Sequence, residues 1–384
     1  MVWASRWSHG CRMSDFAATA RRIHQSLPVV DGHNDLPWAI RTKAHGSLVE
    51  ADPSRRLAGY HTDIPRLLAG GVGAQFWSVY VPAWSKHPLR DTLEQIDLVK
   101  RMVAANPDQL VPATTANEIR EARAAGRVAS LMGVEGGHSI EESLGALRML
   151  RSLGVSYMTL THGDSLSWAD SATDEALHNG LTDFGHDVVR EMNRIGMVVD
   201  IAHVSADTMR DALRVTQAPL LASHSSVYAL APHPRNVPDD VIAGVAANDG
   251  VIMVNFYPPF VLPELAARSL DLFAEGRQLM AELGDEGAVD RIIGERWADV
   301  DYRGDVGTIA DHIEYIARVA GVDHVGLGSD FDGVDMVPEG LEDVSCYPNI
   351  TVELLRRGWN ETDIRKVLGD NALRVLAAVE DAAG

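Results

Sequence analysis

The sequence predicts an α/β protein with a (β/α)8 (TIM) barrel fold. Eight short apolar segments rich in β-branched residues alternate with longer segments whose apolar residues recur every three or four positions. Each longer segment can therefore pack one helical face against a sheet. Eight such units in a chain of 384 residues favour a closed barrel. A doubly wound open sheet is the alternative, but no glycine-rich phosphate loop follows the first strand.

The predicted elements follow one another in regular order. The strands are Val29–His33 (the end of an apolar run that starts at Leu27), Gly73–Tyr80, Val128–Glu135, Val155–Thr161, Met197–Ile201, Pro219–Ser223, Gly250–Phe256 and Asp323–Asp330. Helical periodicity is clearest in Thr92–Ala105, Ser139–Leu153, Phe184–Ile195 and Thr308–Ala320. A closing helix over Asn360–Val379 begins at Asn360, a favourable N-cap residue.

No low-complexity linker divides the chain, so we expect one domain spanning residues 1–384. The longest interruption, Pro258–Gly307, follows the seventh strand and contains a helical patch over Leu262–Glu282. A loop of this length in a barrel usually builds the rim of an active site. Met13 is an alternative start, which would make residues 1–12 an extension that is disordered or wrongly included.

Composition excludes several classes of partner. The formal net charge of -20 argues against nucleic acid and anionic membranes. The two cysteines, Cys11 and Cys346, cannot build a disulfide framework or a thiolate zinc site, so any metal must be held by His, Asp and Glu. No apolar stretch approaches the roughly 20 residues of a membrane span, and neither a signal peptide nor an anchoring tail is evident. We therefore expect a soluble cytoplasmic protein.

Groups that can bind metal, move a proton or grip a polar substrate end seven of the eight predicted strands. In (β/α)8 enzymes these strand ends meet at one face and carry the active site. His33 and Asp35 end the first strand, and their spacing of two residues puts both on one side of it. The corresponding residues of the later strands are Glu135, His162, His203, His224, Asn255 with Tyr257, and Asp330.

Five of these residues form a metal-ligand set of His and carboxylate type: His33, Asp35, Glu135, His203 and His224. One four-coordinate zinc would not need all five, whereas two metals that share a bridging carboxylate would. Strand order suggests that His33 and Asp35 hold one metal, that His203 and His224 hold the other, and that Glu135 bridges them. The position of Asp332, two residues after Asp330, is equally consistent with a residue that supports the metal ligands and with a purely structural one. The remaining histidines that we interpret as structural are His45, His61, His87, His138, His178, His186 and His312.

Seven motifs, in order along the chain, resemble those of the renal (membrane) dipeptidase family, peptidase family M19 of the amidohydrolase superfamily. They are Asp31-Gly32-His33-Asn34-Asp35-Leu36-Pro37-Trp38, Gly133-Val134-Glu135-Gly136-Gly137-His138-Ser139, Asp200-Ile201-Ala202-His203-Val204-Ser205, Ser223-His224-Ser225-Ser226, Arg235-Asn236-Val237-Pro238-Asp239-Asp240, Met253-Val254-Asn255-Phe256-Tyr257 and Asp330-Phe331-Asp332-Gly333. The match runs from about Val29 to Val379. An ordered set of this kind is far more specific than any single motif.

The resemblance implies an amidohydrolase-like barrel with two zinc ions per subunit, bound by the five ligands above with Glu135 as the bridge. It implies that His162 polarises the scissile carbonyl and contacts the substrate, and that Arg235 binds the substrate's terminal carboxylate. Asp330 would act as general base and then general acid. Tyr257 would line the substrate pocket or donate a hydrogen bond. A homodimer is implied by resemblance alone.

The predicted function is a zinc-dependent dipeptidase that hydrolyses dipeptides, including L,D-dipeptides, by attack of a metal-bridging hydroxide. Manganese or cobalt could replace zinc at such ligands. The loop Gly163–Trp168 differs from the animal members of the family, so side-chain preference does not carry over, and the chain resembles a bacterial soluble member. The alternatives are another binuclear amidohydrolase, acting on N-acyl amino acids or lactones, and a non-catalytic metal- or peptide-binding barrel.

Overall fold

Eight parallel strands close into a barrel in the computed structural model, which describes residues 4–26, 29–284, 286–298 and 300–384. The start of the predicted apolar run, Leu27 and Pro28, lies outside the described residues. Nine strands are present in that part of the chain: β1 (Val29–Asn34), β2 (Val72–Tyr80), β3 (Leu110–Pro112), β4 (Val128–Glu135), β5 (Val155–Thr159), β6 (Val198–Asp200), β7 (Leu221–Ala222), β8 (Val251–Val254) and β9 (Val325–Leu327).

The order of pairing shows that the sheet is closed. β2 pairs with β1 and with β4, and the pairing continues through β5, β6, β7, β8 and β9 back to β1. The short strand β3 pairs only with the first residues of β4, so it extends the sheet but is not one of the eight strands of the closed barrel. The (β/α)8 prediction is confirmed.

Helices connect the strands and surround the barrel. They are α1 (Ala4–Ser26), α2 (Leu36–Lys43), α3 (Ile64–Gly70), α4 (Pro88–Ala105), α5 (Ala116–Ala124), α6 (Leu144–Ser152), α7 (Asp183–Arg194), α8 (Ala206–Val215), α9 (Asp239–Ala247), α10 (Pro258–Val261), α11 (Pro263–Leu283), α12 (Glu286–Arg296), α13 (Val306–Ala320), α14 (Tyr347–Arg356), α15 (Glu361–Arg365) and α16 (Asn371–Ala382). Among the described residues, no helix combines the length and the apolar character that crossing a membrane requires.

Two apolar layers hold the barrel together. One lies between the strands and the helices, and the other fills the barrel interior with residues such as Val30, Phe76, Leu131 and Tyr157. A Cβ atom on Gly133 would lie only 2.0 Å from Cζ of Tyr157. The absence of a side chain at this glycine therefore makes room for the tyrosine ring inside the barrel.

The structure differs from the predicted elements where the backbone turns sharply. Five of the eight predicted strands extend beyond the observed strands at one or both ends, and the residues after the carboxyl ends leave the sheet to form loops. The predicted helix over Ser139–Leu153 is divided: Glu141 and Glu142 adopt left-handed conformations (φ 47° and 56°), and α6 starts only after the N-cap Ser143. The closing helix does begin after Asn360, whose side chain accepts a hydrogen bond from the amide of Asp363.

The long interruption after the seventh strand is largely helical. It holds α10, α11 and α12, so the helical patch predicted over Leu262–Glu282 is confirmed as most of α11. The guanidinium of Arg277 on α11 donates a hydrogen bond to the carbonyl of Thr173 in the loop after β5. This contact places α11 against a loop that follows one of the strands carrying a predicted site residue.

Candidate metal centre

The structure brings all five predicted ligands together at the carboxyl ends of the strands. His33 lies in β1 and Asp35 directly follows it, Glu135 is the last residue of β4, and His203 and His224 come just after β6 and β7. Four of the five are at most 5 % exposed, and the side chain of His203 is 12 % exposed. The ligands are therefore held in the barrel mouth rather than on its outer surface.

Glu135 lies at the centre of the cluster, and its two oxygens face different partners. Oε2 is 3.3 Å from Nε2 of His33, which is in turn 3.2 Å from Oδ2 of Asp35. Oε1 is 3.0 Å from Nε2 of His203 and 3.6 Å from Nε2 of His224. A carboxylate that presents one oxygen to each of two ligand pairs has the arrangement that a bridging ligand needs.

The residues present fit divalent metal ions. Nε2 of His33 is buried without a hydrogen-bond partner, although two carboxylate oxygens face it. Leaving a buried polar atom unpaired is costly, and a cation between these groups would satisfy all of them. A donor set of imidazole nitrogen and carboxylate oxygen suits zinc, with manganese and cobalt as other candidates.

The charges around the cluster favour the ligand forms of Glu135, His203 and His224. Burial holds the pKa of His203 and of His224 well below the ordinary value, so both imidazoles are neutral at neutral pH. Burial alone would raise the pKa of Glu135, but His33 and His162 outweigh it and the pKa lies well below its usual range. An ionised carboxylate beside neutral imidazoles is the state that binds a metal.

His162 also lies within reach of the bridging carboxylate. Its Nε2 atom is 3.6 Å from Oε1 of Glu135, and its ring lies between those of Tyr80 and His203, with centroid distances of 4.7 and 4.2 Å. Burial lowers the pKa of His162 to about 4. The geometry therefore places this neutral imidazole at the metal centre. The distances fit a metal ligand and a substrate-binding group equally well.

Asp330 approaches the cluster from the side of His33 and Asp35. One ligand atom from each of the three residues lies within 4.8 Å of the others. The Asp330 backbone is left-handed (φ 67°), and its Oδ2 atom accepts a hydrogen bond of 2.8 Å from Nδ2 of Asn255. Burial raises the pKa of this carboxyl. The structure thus places a carboxyl group, held by an amide, at the edge of the metal centre.

Arg235 lies in the same site as a buried cation with weak protein partners. It is 2 % exposed, and its guanidinium makes only long contacts of 3.4 Å with Oγ of Ser225 and the carbonyl of His224. Its Nε atom has no hydrogen-bond partner, and within the described part of the chain no carboxylate lies at ion-pair distance. The guanidinium stacks on the ring of Phe260 at 5.1 Å. A buried, unpaired guanidinium calls for an anionic ligand.

Comparison with known proteins identifies the family. A family model described as membrane dipeptidase (peptidase family M19) matches residues 17–384. The chain belongs to the membrane dipeptidase family. The resemblance seen in the sequence motifs is thereby confirmed.

Solved structures of other proteins share the fold of this membrane dipeptidase family member. A probable dipeptidase, PvdM, from Pseudomonas aeruginosa has a TM-score of 0.83 at 23% identity, over 96% of this chain and 100% of that chain. A dipeptidase described as a metallopeptidase of family M19 has a TM-score of 0.74 at 26% identity, over 92% and 98%. A metallopeptidase from Rhodobacter sphaeroides, liganded with a phosphinate mimic of L-Ala-D-Ala, has a TM-score of 0.73 at 24% identity, over 92% and 99%.

Tyr257 is buried at the edge of the site in this family member. Its backbone amide donates a hydrogen bond of 2.6 Å to Oδ1 of Asn255, the residue that also holds Asp330. Burial raises the pKa of Tyr257 well above its ordinary value, and the neighbouring Asp335 adds to the shift through a hydrogen bond with the phenol. The phenol therefore contacts Asp335 at the edge of the site.

Several functional contacts were not predicted. Ser78 donates a hydrogen bond of 3.0 Å to Oε2 of Glu135, and Tyr157 and Ser223 contact the Nδ1 atoms of His33 and His224. Ser223 stands within a quoted motif, next to a ligand, which could have drawn attention to it. Tyr157 lies in an apolar strand, and nothing in its sequence context indicates its partner.

The histidines interpreted as structural lie in different settings. His312 is buried, where Nδ1 accepts a hydrogen bond from the amide of Val227 and Nε2 contacts the carbonyl of Val261. His61 accepts a hydrogen bond from the amide of Asp332, near Asp330. His138 follows the strand that ends at Glu135, and its Nε2 atom lies 2.9 Å from the carbonyl of Val81. These contacts satisfy at least one ring nitrogen in each.

Proposed function

We propose that this protein is a binuclear, zinc-dependent dipeptidase. The observation that carries the proposal is the position of Glu135 beside the buried, unpaired guanidinium of Arg235: one of its oxygens faces His33 and the other faces His203 and His224. Membership of the membrane dipeptidase family supports it. So does the fold shared with a family M19 metallopeptidase named as a dipeptidase.

In the proposed site His33 and Asp35 would hold one zinc ion, His203 and His224 would hold the other, and Glu135 would contribute an oxygen to each. When bound, a metal pair of this kind activates water at neutral pH and polarises a substrate carbonyl. The imidazole of His162 contacts the carbonyl oxygen of the scissile bond and stabilises the negative charge that develops there.

Two further residues complete the proposed chemistry. Asp330 accepts the proton of the attacking water and passes it to the leaving amine, while the amide of Asn255 keeps its carboxyl group oriented. Arg235 binds the C-terminal carboxylate of the substrate with its two-pronged guanidinium, and this contact positions the peptide bond over the metal centre.

The substrate class follows from the two ends of a substrate that the site can bind, its carboxylate and its amine. Arg235 requires a free carboxylate, and the carboxylates of the metal centre favour a free amine nearby, so a dipeptide satisfies both. A D-residue at the C-terminal position is part of the proposal, and the phosphinate mimic of L-Ala-D-Ala bound by the Rhodobacter sphaeroides relative supports it. A homodimer is proposed from the family resemblance alone. A cytoplasmic location stays an expectation drawn from the sequence.

A substrate screen on metal-quantified protein tests this function. It should contain L,L- and L,D-dipeptides, the same dipeptides amidated at the C-terminus, N-acyl amino acids and lactones. We expect turnover of free dipeptides and little turnover of their amides. Turnover confined to N-acyl amino acids or lactones would contradict the dipeptidase proposal in favour of another amidohydrolase activity, and zinc binding without any turnover would favour a non-catalytic barrel.

Replacement of Arg235 by methionine should lower kcat/KM for free dipeptides. The lost contact is a charged hydrogen bond to a carboxylate, worth about 1.5–3 kcal/mol, or roughly 10- to 150-fold. Amidated dipeptides should be affected far less, since they lack the carboxylate. Steady-state kinetics with both substrate series measures the difference.

Arg151 provides the matched control for this substitution. Its guanidinium is partly buried, and it donates hydrogen bonds to the carbonyl of Ile195, at the end of α7, and to that of Val155, at the amino-terminal end of β5 and away from the metal centre. Arg151→Met should therefore leave kcat/KM for dipeptides as in the wild type. Equal losses in the two variants, or an Arg235→Met variant that still prefers free dipeptides to amides, would refute the role of Arg235.

A further inference from the structure

We propose that two buried hydrogen-bond relays set the tautomers of His33 and His224 so that Nε2 of each ring is free to bind metal. The first relay runs from the carbonyl of Gly32 through the Tyr157 hydroxyl to His33, and the second runs from Asp200 through the Ser223 hydroxyl to His224. Tyr157 and Ser223 are then positioning residues. The inference rests on the metal centre of the proposed function.

The direction of the second relay follows from counting protons. Oγ of Ser223 lies 2.6 Å from Oδ2 of Asp200 and 2.8 Å from Nδ1 of His224. A carboxylate can only accept, so the single hydroxyl proton of Ser223 is donated to Asp200. The same oxygen must therefore accept from His224, which places the ring proton on Nδ1 and the lone pair on Nε2.

Asp200 is well suited to anchor this relay. It is completely buried, and its oxygens also accept hydrogen bonds from the amides of Ala202 and Ser223 and from the hydroxyl of Thr159. These contacts fix the carboxylate on the last residue of β6. A carboxylate behind an imidazole also makes the far nitrogen a better metal ligand.

The direction of the first relay follows in the same way, with a backbone carbonyl as the final acceptor in place of a carboxylate. The Tyr157 hydroxyl lies 3.1 Å from the carbonyl of Gly32 and 2.8 Å from Nδ1 of His33. Because a carbonyl cannot donate, Tyr157 donates to Gly32 and accepts from His33. The lone pair of Nε2 then points towards the oxygens of Asp35 and Glu135, where a cation would have to lie between them.

Burial makes these relays necessary. His33, His224, Tyr157 and Ser223 are all fully buried, so bulk water cannot satisfy Nδ1 in either ring. The tyrosine reaches its position only because Gly133 leaves the space that its ring occupies. The barrel interior therefore contributes to the metal centre through atoms that touch neither metal nor substrate.

The test compares variants that each lose one buried hydroxyl group. In some of them the lost hydroxyl contacts the imidazole of His33 or His224, and in the others it does not. Zinc affinity of the full chain is measured by competition with a chromophoric chelator. Ser223→Ala and Tyr157→Phe should each weaken zinc binding by about 10- to 100-fold, the range found for supporting groups of metal ligands. Ser223→Thr keeps a hydroxyl group and should bind zinc with the wild-type affinity.

Thr159→Val and Tyr347→Phe are the matched controls. Thr159 donates to the same Asp200 oxygen, at 2.6 Å, without contacting an imidazole, and the fully buried hydroxyl of Tyr347 lies near Asp31. Thr159→Val removes one of the contacts to Asp200 but keeps the hydrogen bond between Ser223 and His224, so it should weaken zinc binding less than Ser223→Ala does. Tyr347→Phe should bind zinc like the wild type. Thermal unfolding followed by circular dichroism checks that all variants are folded.

The outcomes separate the relay from the proposed function. Unchanged zinc affinity in Ser223→Ala and Tyr157→Phe, or equal losses in Ser223→Ala and Thr159→Val, would overturn the relays while leaving the metal centre in place. If one hydroxyl deletion fails to fold, the other still tests its own relay, and a loss of affinity in a folded Ser223→Thr variant would overturn the second relay. A wild-type chain that binds no zinc would instead refute the proposed metal centre.

Discussion

Asp330→Asn is expected to keep its metal and to lose most of its rate. Asparagine fits the left-handed backbone at this position, and its amide oxygen can still accept the hydrogen bond from Asn255. It cannot accept and return a proton, so kcat should fall by about 10²- to 10⁴-fold, the usual contribution of general acid–base catalysis. Dipeptide turnover and metal content measured on the same preparation test this result.

Asp332→Asn is the matched control. Asp332 lies two residues further on, has the same left-handed backbone (φ 66°), and accepts a hydrogen bond from the amide of His61. We expect this variant to retain most of its rate. A fully active Asp330→Asn variant would contradict the role of general base, and loss of metal together with rate would make Asp330 a ligand instead.

Glu135→Gln should abolish binding at both metal sites. The substitution removes the negative charge that faces all four imidazoles of the centre and leaves an amide that cannot bridge two cations. Loss of the metals removes several kcal/mol of transition-state stabilisation, so turnover should fall on the order of 10³-fold or more. Metal analysis of the purified variant, beside its turnover, gives the measurement.

Ser78→Ala is the control that leaves the carboxylate in place. It removes only the hydrogen bond of 3.0 Å to Oε2 of Glu135, so we expect its metal content to stay at the wild-type level with a modest change in rate. A Glu135→Gln variant that carries the full complement of metal would show that this residue is not the bridge.

The barrel and the five candidate ligands could be predicted because both depend on local pattern. Apolar β-branched runs mark buried strands, and in a barrel the residues that end those runs converge whatever the loops do. Glu135 is the clearest case, since a carboxylate at the end of an apolar strand is costly to bury without a partner. The structure places it among four imidazoles.

The remaining features depend on contacts between distant parts of the chain. Tyr157 and His33 are 124 residues apart, and their hydrogen bond depends on the space beside Gly133, which strand periodicity does not reveal. The short strand β3 contains a proline and only three residues, too few for a recognisable pattern. The break before α6 arises from left-handed residues that are glutamates, where glycine or asparagine would have signalled a turn.

Zinc titration of the metal-stripped wild-type chain tests the central claim most directly. The protein is treated with a chelator, freed of it, and titrated with zinc while hydrolysis of an L,D-dipeptide is followed. The proposed binuclear centre predicts no hydrolysis in the stripped chain and full activity at two zinc ions per chain. Undiminished hydrolysis by the stripped chain, or full activity reached at one zinc ion, would contradict it.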